Sequence, residues 1–299
     1  MRILRLTVTP DLAGCSVGRL LRQEMHLSSS LLKSLKWREN AILLNGHPVT
    51  VRAAVKPGDI LTADISDVSP VSGTIVPVNY PLDILWEDED LLILNKPAGL
   101  AVHPSPGHYD GDTLGNRVVW HLARGGETPT FRAINRLDRG TSGLMTCAKN
   151  KLAAQRLEEQ LAQKGIRRTY HAVCEGAGLP ERGVIDLPIG KAEGKGIMRC
   201  VRADGQRAVT HYKVLKEQNR RTLLEIQLDT GRTHQIRVHF SHLGHPLCGD
   251  FMYGRELPGM AGFALHSCAI TLTQPTTGRA LAFSAPDPAV FARLLEGTL

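Results

Sequence analysis

The part of the chain after residue 80 is dominated by short apolar segments that follow one another with few helical segments between them. We predict strands at residues 91–95, 144–148, 170–175, 209–215 and 223–228. Helices are predicted at residues 113–122, 152–163 and 233–243. Because parallel strands need a crossover connection that is usually a helix, this order predicts an α+β domain with a mixed, largely antiparallel sheet.

The first 65 residues form a more basic segment. They contain nine Lys and Arg against five Asp and Glu, a net charge of +4 out of +7 for the whole chain. Ser16 and Ser28 are each placed to cap a short helix. The second helix would turn three leucines inward and leave Lys33 and Lys36 on its outer side. An excess of positive charge suggests an acidic partner such as nucleic acid.

A hairpin signal follows these helices. Asn45-Gly46 is typical of a two-residue hairpin turn, and a Pro-Gly-Asp turn then precedes a strand at 60–65. In this order the elements resemble the αL RNA-binding module of a small-subunit ribosomal protein and of many RNA-modifying enzymes. The resemblance implies that Lys33 and Lys36 face RNA phosphates, whereas the residues alone are also compatible with a solvated helix face.

The domain division follows from composition. Residues 66–79 are rich in Ser, Pro, Val and Gly and have no helical period, so we predict a linker there. The chain is therefore expected to consist of a small module at 1–65, this linker, and a larger second domain at 80–299.

The segment 134–149, with the sequence INRLDRGTSGLMTCAK, places one carboxylate, Asp138, between Arg136 and Arg139. Cationic neighbours favour the ionised form of a carboxylate. Arginines also suit a polyanion, because their planar fork binds phosphate well. The segment indicates an ionised aspartate presented to a phosphate-bearing substrate, or alternatively a surface loop with an ordinary ion pair.

A second informative segment, 228–250, reads LDTGRTHQIRVHFSHLGHPLCGD. Thr233 is predicted to be the N-cap of a helix within it. The apolar face of that helix would be formed by Ile236, Phe240 and Leu243. Arg237 lies off this face, and we expect its side chain to reach a site.

These segments resemble the RluA-type pseudouridine synthase family. Segment 134–149 is similar to the family motif H-R-L-D-x-x-T-S-G-L, residues 167–176 are similar to its R-x-Y motif, and residues 230–239 to its T-G-R-T-H-Q-I-R-V-H motif. Residues 87–105 and 262–278 resemble its opening and closing strands. The matches occur in family order and span most of the chain.

The resemblance implies the isomerisation of uridine to pseudouridine in RNA, which breaks the N1–C1′ bond and joins C5 to C1′. In the family, the residue corresponding to Asp138 is catalytic and the one corresponding to Arg237 pairs with it. The residue corresponding to Tyr170 stacks on the uracil, and its help in removing the C5 proton is an alternative. Arg136 is expected to fill the vacated stack or hold phosphates, and Leu265 to form an apolar wall. Attack of Asp138 at C1′, attack at C6 and deprotonation at C2′ are all compatible with the residues.

Three positions depart from the family pattern. Asn135 stands where the family usually has His, Gly140 where an acidic residue is common, and Gln274 where His is frequent. These departures bear on the hydrogen bonding of the catalytic loop and on target choice. Lys96, which precedes Pro97, is interpreted as a turn residue and is not assigned to catalysis.

A metal site is not expected. The histidines crowded into the second segment are His234, His239, His242 and His245. They lack an HExxH signature, and the last follows a helix-breaking glycine. The resemblance also implies that neither a metal nor another cofactor is needed.

The expected partner is structured RNA, namely large-subunit ribosomal RNA, with transfer RNA as the alternative substrate. A non-catalytic RNA-binding or ribosome-assembly factor is disfavoured by the combination of Asp138, Tyr170 and Arg237. Six scattered cysteines without a CxxC pair favour reduced thiols and a cytoplasmic location. No apolar run approaches the roughly 18 residues of a membrane span, and the family resemblance implies a monomer.

Overall fold

The computed structural model describes residues 2–67, 75–105, 111–126 and 130–299. The strands are β1 Ile3–Thr7, β2 Ile42–Leu44, β3 His47–Pro48, β4 Ile60–Asp64, β5 Ile84–Glu87, β6 Leu91–Lys96, β7 Arg132–Ala133, β8 Ser142–Ala148, β9 Arg167–Glu175, β10 Arg182–Asp186, β11 Ile189–Lys191, β12 Arg199–Val201, β13 Val209–Gln218, β14 Arg221–Leu228, β15 Leu265–Thr273 and β16 Ala280–Ser284. The helices are α1 Val17–Gln23, α2 Ser29–Lys36, α3 Leu114–Arg124, α4 Lys151–Ala162, α5 Gln235–His242 and α6 Ala289–Glu296. None of the helices in these ranges is long and apolar enough to cross a membrane.

A large mixed sheet organises the second part of the chain. In the described residues it has ten strands in the order β10-β13-β14-β9-β15-β8-β6-β5, with β16 beside β15 and β7 beside β8. Only β8 and β15 pair in parallel; the other pairs of this sheet in the described residues are antiparallel. The predicted α+β class is confirmed, and each of the five strands predicted after residue 80 lies within an observed strand of this sheet.

Helices cover both faces of this sheet. Leu92 and Leu94 of β6 pack in the same apolar cluster as α3 and α5. Leu91 and Ile93, their alternating neighbours, pack on the opposite face in a cluster that includes α4. A strand buried on both faces reads as an unbroken apolar run, which is why the segment was recognisable from sequence.

The parallel pair brings two distant segments into close contact. Ser142 and Gly143 at the start of β8 lie opposite His266 and Ser267 of β15. Gly143 has a φ of +106°, and a Cβ atom there would lie 2.4 Å from the carbonyl oxygen of Ser267. Only glycine permits this approach. The approach fixes the position at which β8 leaves the loop that carries Asp138.

The N-terminal residues form a four-stranded sheet in the order β1-β4-β2-β3 with α1 and α2. Ser16 and Ser28 cap these helices by accepting hydrogen bonds from the Arg19 and Leu31 amides, as predicted. The hairpin turn is also confirmed, because Asn45 and Gly46 both have positive φ and join β2 to β3. Strand β1 was not predicted, since none of its residues is fully buried and it lacks an apolar run.

The N-terminal sheet and helices pack against the second part of the chain. The Arg2 guanidinium donates two hydrogen bonds to the buried Asp90 carboxylate, at 3.2 and 3.0 Å. Leu152 of α4 joins the apolar cluster of the N-terminal residues. Of the predicted linker at 66–79, residues 68–74 lie outside the described residues, and the division of the chain into domains stays a prediction.

Helix α5 begins later than predicted. Thr233 was predicted to be its N-cap, but the helix starts at Gln235 and the N-cap position is His234, with φ +60°. The Gln235 side-chain oxygen accepts a hydrogen bond from the Thr230 hydroxyl at 2.8 Å, and this local turn replaces a threonine cap. Leu243 was predicted to face inward, yet it lies just after the helix and is 40% exposed. Helices α3 and α4 agree with their predicted bounds within two residues.

Candidate active site

Asp138 lies in the loop between β7 and β8. The turn is closed by the Thr141 amide, which donates to the Asp138 carbonyl oxygen at 3.0 Å. The Asp138 side chain is 30% exposed, and its Oδ2 atom accepts a hydrogen bond from Nη1 of Arg237 at 2.9 Å. The structure therefore brings together the carboxylate and the guanidinium that the sequence assigned to one site.

Arg237 is held by a second carboxylate. Its Nε and Nη2 atoms donate to the two oxygens of Asp250 at 2.7 and 2.9 Å. The Arg237 side chain is 4% exposed and that of Asp250 is fully buried. A bidentate pair of this kind fixes the plane of the guanidinium, and its remaining Nη1 is thereby directed at Asp138.

Aromatic rings enclose the same guanidinium. The Cζ atom of Arg237 lies 4.9 Å from the ring centre of Tyr253 and 4.1 Å from that of Phe263. Burial opposes the charge of Arg237, but hydrogen bonds to Asp250 and attraction to both carboxylates outweigh it and raise the pKa of Arg237. The site thus contains a permanently charged cation with little freedom to move.

A cleft of about 1110 Å³ opens at the Asp138–Arg237 pair. Its lining includes all five site residues predicted for the second domain, namely Arg136, Asp138, Tyr170, Arg237 and Leu265. Tyr170 and Leu265 are each 5% exposed and form part of the wall. Arg136 is exposed in this cleft. The cleft can hold a planar base beside an aspartate, with cations around it.

Lys33 and Lys36 do not belong to this cleft. They line a separate groove of about 420 Å³ on the N-terminal module, together with Arg22 and Arg52. Two basic surfaces therefore exist, one at the aspartate and one on the module.

Further basic residues at the cleft were not identified from sequence. The cleft lining also includes Lys164, Arg167, Arg168 and Arg232. Three of them are exposed, and Arg168 is partly buried. Arg167 and Arg168 lie at the start of β9, the strand that also carries Tyr170. These two consecutive arginines were the sequence signal that could have identified basic residues at the cleft.

Asp250 and His234 are two further site residues that sequence reasoning missed. Asp250 ends the 228–250 segment, but nothing in the sequence shows that its carboxylate turns back toward Arg237. Nε2 of His234 lies 3.9 Å from Oδ2 of Asp138, and its Nδ1 lies 2.8 Å from the Tyr253 hydroxyl. Burial lowers the pKa of His234 and thereby favours the neutral form of its ring.

Lys96 contacts the loop that carries Asp138 through hydrogen bonds to backbone carbonyl oxygens. Its side chain is fully buried, and its ammonium donates to the carbonyl oxygens of Pro97, Leu100 and Arg139 at 2.8, 2.8 and 3.1 Å. Burial lowers the pKa of Lys96 to about 7. The lysine ties the turn after β6 to the residue that follows Asp138, which is a structural role at the edge of the site.

The structure shows what surrounds each of the three residues that depart from the family pattern. The side-chain oxygen of Asn135 accepts from the Thr146 amide at 2.8 Å and so fastens the loop to β8. At Gly140 a Cβ atom would lie 2.6 Å from the Phe263 ring, the ring that also covers Arg237. Gln274 donates to the Asp90 carboxylate at 2.8 Å.

The clustered histidines have separate roles. His239 is buried, with its ring nitrogens 2.9 Å from the Thr210 hydroxyl and 2.9 Å from the Leu187 carbonyl oxygen. His245 contacts the Glu175 carbonyl oxygen at 3.0 Å. Across the described ranges, no group of three or more His, Cys, Asp or Glu side chains is placed to hold a metal ion.

Comparison with known proteins relates this geometry to a family. The family described as RNA pseudouridylate synthase matches residues 90–242. The chain is 38% identical to the uncharacterized RNA pseudouridine synthase YjbO of Bacillus subtilis, over 92% of this chain and 96% of that protein. It is 34% identical to the ribosomal large subunit pseudouridine synthase D of Xanthomonas campestris, over 98% of this chain and 92% of that protein.

A solved structure agrees with the sequence comparisons. Human RNA pseudouridylate synthase domain containing 1 superposes with a TM-score of 0.58 at 27% identity, over 70% of this chain and 84% of that chain. The family match includes Asp138, Tyr170 and Arg237 in its range. The chain therefore belongs to the RNA pseudouridylate synthase family and is an isomerase of that type.

Proposed function

We propose that Asp138 is the catalytic carboxylate of this enzyme and that its substrate is large-subunit ribosomal RNA. The observation that carries the first part is the contact between Asp138 and Arg237 at the floor of a cleft large enough for a nucleoside. The second part is supported by the basic groove on the N-terminal module and by the similarity to proteins named as large-subunit synthases.

The carboxylate works beside a fixed cation. When RNA fills the cleft and excludes water, an isolated carboxylate would be costly to keep charged. Arg237 offsets this cost because its guanidinium cannot release its proton in the working range, and Asp250 holds it in place. Asp138 is thus presented in its anionic form to the ribose and base of the target uridine.

The cleft wall retains the base after the N1–C1′ bond breaks. Tyr170 offers a ring on which uracil can stack, and Leu265 closes the wall with an apolar side chain. A base held between such surfaces can turn and present C5 to C1′ without escaping into solvent. Because the product is an isomer of the substrate, no net oxidation or reduction occurs.

The target uridine must leave its stack to reach Asp138, which costs a few kcal/mol. Arg136 and the basic residues at the cleft, Lys164, Arg167 and Arg232, are placed to bind the phosphates around the everted nucleotide. Lys33 and Lys36 would hold a second part of the same RNA. In keeping with this substrate we expect a monomer in the cytoplasm.

The experiment uses RNA with tritium at C5 of uracil, because formation of pseudouridine replaces that hydrogen. The wild-type chain is incubated, without added metal or cofactor, with transcripts of large-subunit ribosomal RNA and, separately, of transfer RNA. We expect release of tritium from the ribosomal transcript. Release from transfer RNA alone would reassign the substrate, and no release from either would contradict the proposal. Mapping of pseudouridines in ribosomal RNA from cells without the gene then identifies the position.

A further inference from the structure

Trp37 is the most exposed large apolar side chain in the described part of the chain. It is 85% exposed, compared with 69% for Ile197 and 65% for Phe251. It occupies the C-cap position of α2, where its backbone amide donates to carbonyl oxygens of the preceding turn. The backbone of Trp37 is therefore anchored while its indole is exposed to solvent. The ring consequently contributes little to the packing of the fold.

Trp37 ends the helix α2, whose side chains help to line the basic groove on the module, although Trp37 itself is not among the lining residues. Lys33 and Lys36 of α2 line this groove, and Trp37 directly follows Lys36. Residues four apart on a helix share a face, so Trp37 is the next side chain along the surface from Lys33. Leu31 and Leu35 of α2 are buried in the core and do not line the groove.

The charge of the groove restricts what can occupy it. Four of its lining residues are basic, namely Arg22, Lys33, Lys36 and Arg52, and the described lining contains no acidic side chain. Such a groove suits phosphates. Lysine is depleted at protein–protein interfaces, so an exposed aromatic ring flanked by lysines favours nucleic acid over a protein partner.

We propose that Trp37 is a stacking surface for an unpaired nucleobase of the RNA whose phosphates lie in the groove of Arg22, Lys33, Lys36 and Arg52. This inference rests on the proposed function, because it takes RNA as the partner. A base within a duplex has both faces covered, whereas an unpaired base can place its face on an exposed ring. The module therefore distinguishes a single-stranded or looped segment from a continuous helix.

The test measures the affinity of the full chain for two labelled probes at one salt concentration, a 12-nucleotide oligoadenylate and an RNA duplex of similar phosphate number. Trp37→Ala is expected to weaken binding of oligoadenylate by about fivefold or more and to leave duplex binding unchanged. Trp37→Phe, which keeps a ring, should retain most of the affinity. Lys33→Ala should weaken both probes, because both carry phosphates.

Ile197→Ala is the matched control, since it shortens another highly exposed apolar side chain. Oligoadenylate should also quench tryptophan emission of the wild-type chain but not of Trp37→Phe. Equal binding of oligoadenylate by Trp37→Ala and the wild type would overturn the proposal, as would an equal loss for both probes. Tritium release by the wild-type chain, measured on the same preparation, reports separately on the proposed function.

Discussion

Arg237 donates a hydrogen bond to Asp138 at 2.9 Å across 99 residues of sequence. The same guanidinium is held from behind by Asp250, which is fully buried. The position of the proposed catalytic carboxylate therefore depends on α5 and on the turn after it. The substitutions Asp250→Asn and Arg237→Lys each test this series of hydrogen bonds from Asp250 through Arg237 to Asp138.

Asp250→Asn should impair catalysis, although the buried Asp250 side chain is not expected to contact the RNA. The substitution removes the charge that fixes Arg237, and loss of one partner of a buried ion pair destabilises a protein by about 3–5 kcal/mol. We expect a fall in kcat with little change in KM, and a lower midpoint in urea unfolding. The matched control is Asp186→Asn, which breaks an ion pair to Arg207 whose side chains are 48% and 75% exposed. An exposed pair of this kind contributes little to stability, so equal losses in the two variants would contradict the role of Asp250.

Arg237→Lys tests whether geometry or charge alone is needed. A lysine ammonium keeps the charge but cannot bind Asp250 through two parallel hydrogen bonds while also reaching Asp138. A charge-assisted hydrogen bond contributes about 1.5–3 kcal/mol, so we expect tritium release to slow by about 10- to 150-fold. RNA affinity should be retained. Wild-type turnover by Arg237→Lys would show that the bidentate contact is dispensable.

Gly143→Ala should separate β8 from β15. The new Cβ atom would lie 2.4 Å from the Ser267 carbonyl oxygen, and the residue would keep a φ of +106° that alanine rarely adopts. We expect a large loss of stability in thermal unfolding, together with loss of activity. Gly125→Ala is the control, because Gly125 has a φ of −74° and its Cβ would make an ordinary contact at 3.5 Å. Similar stability of both variants would contradict the close approach.

Lys96 gives a dependence of stability on pH. Its pKa in the folded chain is about 7 because of burial, whereas free lysine has a pKa of about 10.4. Between these values the unfolded chain binds more protons, so the free energy of unfolding rises with pH, by at most about 1.4 kcal/mol per unit. Below about pH 7 both states are protonated and the contribution is flat.

Lys96→Met isolates this contribution, because methionine does not titrate and has a similar length. The difference in unfolding free energy between the wild type and Lys96→Met should increase from pH 7 to pH 10. Urea unfolding at several pH values measures it. A difference that stays constant or falls with pH would contradict a lowered pKa for Lys96.

Much of the site was predictable because its residues lie in contiguous segments. Asp138 and Arg237 were recognised within such segments, and the large sheet was recognised from apolar strands such as β6. The structure places Tyr170 and Leu265 in the same cleft, as expected from their segments. Local sequence was sufficient where the functional residue lies inside the segment that was recognised.

Contacts made by the tertiary fold were not predictable. Asp250 was visible in the sequence, but only folding shows that it holds Arg237. Gly140 was noted as a departure, but only the folded structure shows that a Cβ atom at that position would meet the Phe263 ring. The start of α5 was misplaced because the Gln235 side chain organises the turn before it. Each of these depends on side chains that meet only after the chain has folded.

The most direct measurement of the central claim is single-turnover tritium release by Asp138→Asn. The enzyme is used in excess over C5-tritiated ribosomal RNA, with RNA affinity measured on the same preparation and Asp204→Asn, an exposed aspartate on another loop, as the control. We expect the wild type and Asp204→Asn to release the label, and Asp138→Asn to bind RNA normally and release none. Release by Asp138→Asn at the wild-type rate would show that another group carries out the chemistry.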